Sequence, residues 1–393
     1  MSGVGVRPRA RQMLRALFFL VLLGVPALSP GANEPDARKS RFVDPVDGWL
    51  DVSEFLDTAY GFVPILVPIT EPAVGYGAAG ALVFIDRHAG GSGGRYARPN
   101  IAAIGGLRTE NGTEGGFGVH LGTWMGGRVR TLAALADVDV NLDFFGLGGN
   151  RAPGEAGLGY SISARGGVAG ASYRLGETPL WLGLRYTQVS TGVALDAPAT
   201  GLPGVPRADF DLDLTGFTPS VTLDMRDNFF TPTRGWYVDF SMPVFRQGLG
   251  GDRDFEKADL TAIHYRPLSR SVYFSMRATG KASSGGTPFF LRPYVSLRGV
   301  QALRYQGERA AEAEAELRWQ VHPRFSVVGF AGAGLARAGT ALGDREKTVA
   351  AGGIGVRYLL ARKHGLHLGL DVAKGPDDKP IFYLVFGNAW LRP

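Results

Sequence analysis

The chain has 393 residues, among them 58 glycines and no cysteine, and 11% of the residues are aromatic. The lack of cysteine excludes disulfides and thiolate metal sites, and the aromatic content argues against a disordered chain. Residues 1–32 hold four arginines and no acid, so the formal net charge falls from +6 to +2 without them. The basic balance is therefore no indication of nucleic-acid binding.

The N-terminus has the pattern of an export signal. A basic stretch with four arginines is followed by the apolar run Ala16–Val25 and then by small residues up to Ala32. The alternative, a membrane anchor, is disfavoured because a spanning helix needs about 20 apolar residues. We therefore predict a cleaved signal peptide over residues 1–32.

Residues 33–61 precede the first predicted strand. Leu50, Phe55 and Leu56 indicate a short amphipathic helix in a periplasmic or plug segment. Four acids lie in the same stretch: Asp44, Asp47, Asp51 and Glu54. Calcium binding by these acids is the less favoured interpretation, because their spacing does not match an EF-hand loop.

The main signal in residues 62–393 is strict alternation over segments of about ten residues. The clearest case is Ala311–Val321, in which alanine, leucine, tryptophan and valine alternate with charged or amide side chains. One face then carries Glu312, Glu314, Glu316, Arg318 and Gln320. A transmembrane barrel turns the apolar face to lipid and the charged face to a wet lumen.

This pattern predicts an all-β fold, a transmembrane antiparallel barrel of about sixteen strands. The predicted strands are 62–69, 74–86, 98–108, 114–124, 128–140, 158–174, 179–193, 210–227, 234–246, 253–267, 270–283, 309–321, 323–338, 347–361, 364–374 and 380–390. Tight turns alternate with long loops around 141–157, 194–209 and 284–308, although the connection 87–97 breaks this rule. The asymmetry predicts short periplasmic turns and longer outside loops, with both chain ends on the periplasmic side.

From the eighth predicted strand onward, an ordered set of short motifs resembles the BamA/TamA family of outer-membrane assembly and transport barrels, also called bacterial surface antigens. The motifs are Asp224–Gly235, Leu297–Val300, Tyr305–Glu308, Ala315–Trp319 and Gly329–Gly334. Residues Ile69–Gly77 resemble barrel-only members, which lack the N-terminal periplasmic repeats.

The resemblance implies that the loop 284–308 folds back into the lumen. The Arg298-Gly299 pair of this loop would then dock on Glu316, and Phe330 and Gly334 would form the matching strand motif. The family has an acid between Phe330 and Gly334, where this chain has Gly332. The alternative is that Arg298 is a solvated loop residue and Glu316 ordinary lumen lining.

The resemblance further implies protein (or lipid) transport or membrane assembly in the bacterial outer membrane. The expected partners are outer-membrane lipids and a separately encoded periplasmic or secreted protein, with no nucleic acid, around a monomeric barrel. The six histidines are scattered, so we expect no catalytic residue, cofactor or metal. Two alternatives remain: a passive porin-like channel with an acidic lumen formed by Glu312, Glu314 and Glu316, and, less favoured, an outer-membrane enzyme.

Overall fold

The computed structural model describes residues 42–58, 61–86, 100–145, 157–195, 211–340, 343–377 and 379–390. The predicted signal peptide, the loop 194–209 for the most part and the connection 87–97 lie outside these residues. Within the described part, no helix has the length and apolarity needed to cross a bilayer.

One antiparallel sheet makes up almost the whole described chain. Its strands are β1 Gly61–Ile69, β2 Gly77–Asp86, β3 Asn100–Thr109, β4 Glu114–Trp124, β5 Val129–Phe144, β6 Leu158–Arg174, β7 Leu180–Leu195, β8 Asp211–Asp224, β9 Gly235–Ser241, β10 Val244–Phe245, β11 Phe255–Pro267, β12 Val272–Ser283, β13 Arg309–Gln320, β14 Phe325–Thr340, β15 Gly343–Ala361, β16 Leu366–Lys374 and β17 Ile381–Phe386. Among the described residues, one short α-helix, α1, spans Ser53–Thr58.

The seventeen described strands form sixteen positions in the barrel wall, because β9 and β10 are two parts of one interrupted strand. Both pair with β8 in the same register, Ser241 opposite Ser220 and Val244 opposite Phe217. Pro243 separates them, since proline has no N–H to donate to a ladder. The predicted fold, an antiparallel barrel of about sixteen strands, is confirmed.

The sheet has two ends with different connections. The turns β4–β5, β6–β7, β11–β12, β13–β14 and β15–β16 lie at one end, called here the turn end. The opposite end, called the loop end, carries the connection of residues 284–308 between β12 and β13, called here the lumen loop.

The alternation along β13 separates an inner from an outer face. Glu312, Glu314 and Glu316 are buried, whereas Leu317 and Trp319 are about half exposed, at 46% and 56%. Exposed apolar and buried charged side chains are the reverse of a soluble protein and fit a barrel in lipid. Outward-facing aromatic residues also cluster at the turn end: Trp124, Tyr173, Trp236, Trp319 and Phe325. Such a row marks a membrane–water interface.

The lumen loop shows that the sheet curls around its inner face. Phe289 of the loop packs on Phe144 of β5, with ring centroids 5.4 Å apart. The same loop donates a hydrogen bond from the Ala302 N–H to Glu71, between β1 and β2 (3.2 Å). It also reaches Glu312 of β13 through Ser296. Only a strongly curved sheet brings strands so far apart in order against one loop.

Candidate functional site

The lumen loop is itself a narrow hairpin. Tyr294 and Gln306 form an isolated antiparallel bridge, and the Val295 N–H donates to the Tyr305 carbonyl (3.1 Å). Leu297, at the start of the tip, and Tyr305, on the returning arm, are both almost fully buried. The two arms of the hairpin are therefore paired with each other through backbone groups.

Arg298 at the tip of this hairpin is surrounded by carboxylates from two strands. Its Nε donates to Glu314 (2.6 Å), and its Nη1 donates to Glu316 of β13 and Asp371 of β16, both at 2.8 Å. The guanidinium also stacks on Phe330, with Cζ 3.6 Å from the ring centroid. The structure thus brings together Arg298 and Glu316, and Glu314 and Phe330 with them.

Asp371 is the partner of Arg298 that sequence reasoning missed. It is completely buried and also accepts hydrogen bonds from Arg357 of β15, one of them at 3.0 Å from Nη2. Arg357 in turn lies 3.7 Å from Glu316. The alternation in β16, with His367, Gly369 and Asp371 on the inner face, was a usable signal for this acid.

Gly332 stands where the resemblance implied an acid, and its space is used by the loop. A Cβ at Gly332 would lie 2.9 Å from Leu297 Cδ2, and one at Gly334 would lie 2.6 Å from Val295 Cγ1. Asp371 supplies a carboxylate from β16, two strands away from Gly332. The two glycines therefore let the hairpin approach β14 closely.

Glu312 holds the arm of the hairpin next to Arg298. It accepts hydrogen bonds from the Ser296 N–H (2.5 Å) and hydroxyl (2.6 Å). Arg277 and Lys281 of β12 lie 3.4 and 3.8 Å from the same carboxylate. All three glutamates of the predicted acidic row are therefore occupied by the loop or by neighbouring cations.

Gly299 passes close to the β16–β17 connection. Its N–H donates to the Tyr383 hydroxyl (3.0 Å), and its φ of +93° favours glycine. A Cβ there would lie 3.0 Å from the Lys374 carbonyl carbon. The Arg298-Gly299 pair thus combines a charged contact with a backbone approach that other residues would strain.

The base of the hairpin packs aromatic side chains against the strands at the loop end. Phe289 and Phe290 join one buried cluster with residues from six strands, namely Phe144, Tyr160, Val193, Leu212, Leu214, Phe255 and Ala338. Because these side chains come from six strands, the base of the loop packs across several strands at this end and not on one strand alone.

Residues after β17 also turn into the lumen. Trp390 is buried at 6% exposure, and its indole Nε1 donates to Glu314 (3.2 Å). The ring packs with Tyr237, Ile263 and Tyr265. Trp390 therefore shares the Glu314 acceptor with Arg298, whose Cζ lies 5.6 Å from the indole ring centroid.

A second arginine at the turn end, Arg324, has a similar set of partners. It is 1% exposed and donates to Asp44 (2.5 Å), Asp47 (2.6 Å) and Asp51 (2.7 Å). Arg362 of the β15–β16 turn lies 3.1 Å from Asp44. Three of the four acids considered for calcium thus hold arginines that tie residues 42–58 to the barrel turns.

The arginines shift the acidity of these aspartates. The hydrogen bond from Arg324 lowers the pKa of Asp47 to about 2, against the opposing effect of burial. Burial alone would raise the pKa of Asp51, but hydrogen bonds from Ser53 and Arg324 outweigh it and lower that pKa. Among the described residues, no group of three or more histidines and acids is arranged to hold a metal ion.

The Omp85 superfamily domain matches residues 138–364, more than half of the chain. No curated protein sequence matches the chain.

Solved structures with a similar fold include BamA from Haemophilus ducreyi lacking POTRA domains 1-3, at 12% identity and a TM-score of 0.54, covering 88% of this chain and 80% of that one. CdiB from Escherichia coli matches at 15% identity and a TM-score of 0.54, covering 84% of this chain. CdiB from Acinetobacter baumannii matches at 10% identity and a TM-score of 0.53, covering 85%.

The chain spans 60% of the first CdiB chain and 66% of the second. At these identities the structural matches show the fold, and the domain match shows the family. The predicted membership in the BamA/TamA type of barrel is confirmed, and the chain belongs to the Omp85 superfamily.

Proposed function

We propose that this barrel transports or assembles protein (or lipid) in the outer membrane, and that the lumen loop is its gate. The family and the barrel matches indicate the outer-membrane location. Transport or assembly is consistent with the relation to BamA and CdiB barrels. No covalent chemistry is part of the proposal.

The observation that carries the gate is the set of contacts of Arg298. Its guanidinium is 8% exposed and reaches carboxylates on two different strands, so the loop tip is fixed in two directions. Removing one member of a buried ion pair costs about 3–5 kcal/mol because it leaves an uncompensated charge. The loop therefore stays seated until another interaction replaces these contacts.

The same contacts count against a passive porin. A cation-selective lining needs carboxylates that face permeating ions, but Glu312, Glu314 and Glu316 are all less than 10% exposed. Their oxygens are engaged by Ser296 and Arg298 of the loop. An acidic pore would appear only after the loop had left.

Planar bilayer conductance tests the gate against the porin. The wild-type barrel is expected to conduct poorly, and Arg298→Ala is expected to raise the conductance in large, flickering steps. The control is Arg185→Ala on the inner face of β7, an exposed arginine that should change the conductance little. Large, steady conductance of the wild type would contradict the proposed gate. The same conclusion would follow if Arg298→Ala had the same conductance as the wild type.

A disulfide lock separates loop movement from the loss of a charge. The chain has no cysteine. A Cβ at position 334 would lie 2.6 Å from Val295 Cγ1, so cysteines at these two positions are close enough to form a disulfide. The double variant Val295→Cys/Gly334→Cys, combined with Arg298→Ala, should conduct poorly when oxidised and freely after reduction. Conductance that is the same in the oxidised and the reduced variant would show that the loop does not gate the pore.

The remaining parts of the proposal concern delivery and partners. We propose export through the signal peptide of residues 1–32, insertion as a monomer among outer-membrane lipids, and a turn end that faces the periplasm. A separately encoded periplasmic or secreted protein is the proposed cargo or partner. Mass spectrometry of proteins cross-linked to the barrel in its native cells tests this, and recovery of lipids alone would contradict a protein partner.

A further inference from the structure

Residues 42–58, called here the rim segment, have two chemically different sides. Asp44 and Asp51 are turned onto Arg324 and are nearly fully buried. The apolar side chains of the same stretch are exposed instead: Phe42 at 43%, Val43 at 45%, Val46 at 79%, Trp49 at 44% and Leu50 at 52%. In water this arrangement is unfavourable, because it buries charges and exposes apolar surface.

The apolar side is presented by a small hairpin with paired backbone groups. Val43 bridges Leu50, the Asp44 N–H donates to the Trp49 carbonyl (2.9 Å), and the Asp51 N–H donates to Phe42 (2.9 Å). Val46 lies at the tip of this hairpin. Since these backbone groups are already paired, the hairpin can enter a poorly hydrated region at little cost in hydrogen bonds.

Trp49 joins the rim segment to the lipid-facing surface of the barrel. Its ring lies 5.5 Å from Phe325 and 6.5 Å from Tyr358, measured between centroids. Phe325 belongs to the outward-facing aromatic row at the turn end, and Tyr358 faces outward in the alternation of β15, opposite to the buried Arg357. The exposed apolar side is therefore continuous with the surface that contacts lipid.

We infer that the rim segment is a membrane-interface anchor, in which Val46, Trp49 and Leu50 lie in the interfacial region of the bilayer. Tryptophan prefers this region because its ring is apolar and its N–H is polar. The aspartates clamped on Arg324 hold the hairpin at the correct height on the barrel. This inference depends on the barrel being in the membrane and not on the proposed gate.

The absence of cysteine permits a direct test in the full-length chain. A Val46→Cys variant is labelled with an environment-sensitive fluorophore and reconstituted into phosphatidylcholine vesicles. The matched control is Arg270→Cys in the exposed β11–β12 turn of the same barrel end. We expect blue-shifted emission and quenching by brominated lipid at position 46, and red-shifted emission with quenching by aqueous iodide at position 270.

Iodide quenching at position 46 equal to that at position 270, with no effect of brominated lipid, would overturn the anchor. That result would leave the apolar side open to a periplasmic protein instead.

Native tryptophan fluorescence provides a second measurement that needs no label. The contribution of Trp49 is the difference between the emission of the wild type and that of Trp49→Phe. We expect brominated lipid to quench this difference, and a difference that brominated lipid does not quench would also reject the inference.

Discussion

Two buried arginines, Arg298 in the lumen and Arg324 at the turn end, each bind three carboxylates, but they differ in what they hold. Arg298 lies on a loop, and its acceptors lie on the barrel strands β13 and β16. Arg324 lies in a barrel turn, and its acceptors lie on the rim segment. The same arrangement, one arginine and three carboxylates, thus holds an internal loop in the lumen and an external segment at the turn end.

The two clusters also differ in how their charges are shared. In the lumen, four acids face four cations: Glu312, Glu314, Glu316 and Asp371 against Arg277, Lys281, Arg298 and Arg357. Several of these groups have two partners, so a change at one is felt by the others. The rim cluster is smaller and nearer to water, and its acids depend mainly on Arg324 and Arg362. Perturbations should therefore spread in the lumen and stay local at the rim.

The largest effect is expected for Asp371→Asn. This change leaves Arg298 and Arg357 buried with one anion fewer, and breaking such a pair costs about 3–5 kcal/mol. We expect this loss in the free energy of unfolding, measured by denaturant titration of the folded barrel in detergent. The control is Asp239→Asn, whose carboxylate bonds the neutral Thr222 and should cost about 1 kcal/mol. Equal losses in the two variants would show that the lumen cluster is not cooperative.

Part of the lumen cluster was predictable from the sequence. Strict alternation places Glu312, Glu314 and Glu316 on one face without any knowledge of the fold, and the resemblance adds Arg298. Asp371 was missed because its proximity to Glu316 follows from the register of three successive ladders, which local patterns do not encode. The role of Gly332 was missed for a related reason, since the space that it leaves is filled by a loop residue, Leu297.

A smaller and local effect is expected for Arg324→Ala. Three aspartates are then opposed mainly by Arg362, and the lost charged hydrogen bonds are worth about 2 kcal/mol of docking free energy. The rim segment should become sensitive to proteinase K while the barrel keeps its resistance to denaturant. Arg270→Ala in an exposed turn is the control. Loss of global stability comparable to that of Asp371→Asn would erase the distinction between the two clusters.

Acid should release the rim segment in part. The pKa of Asp47 is lowered to about 2, and that of Asp51 is also lowered. A carboxylate with a lowered pKa contributes stability that is complete above its unfolded value, near 3.8, and is lost as the pH falls toward 2. Docking of the rim segment can be measured as the fluorescence difference between the wild type and Trp49→Phe. We expect it to be constant from pH 7 to 5 and to weaken below pH 4. A midpoint near neutrality would assign the docking to other groups.

The rim cluster was less predictable than the lumen cluster. The sequence showed four acids close together before the first strand, with a spacing that does not match an EF-hand loop. Their arginine partners, Arg324 and Arg362, lie 280 and 315 residues further along the chain, in turns that carry no distinguishing pattern. Charged residues in turns are common and usually solvated, so only the barrel geometry identifies Arg324 as a buried group.

The smallest effect is expected for Trp390→Phe, which separates the loop from the residues after β17 within the lumen cluster. Phenylalanine preserves the packing on Tyr237 and Tyr265, but it removes the indole hydrogen bond to Glu314, worth about 1 kcal/mol. Glu314 keeps Arg298 as its partner, so unfolding in denaturant should shift slightly and the protease resistance of the rim segment should not change. An effect as large as that of Asp371→Asn would mean that Trp390, and not the loop arginine, is the main support of this carboxylate.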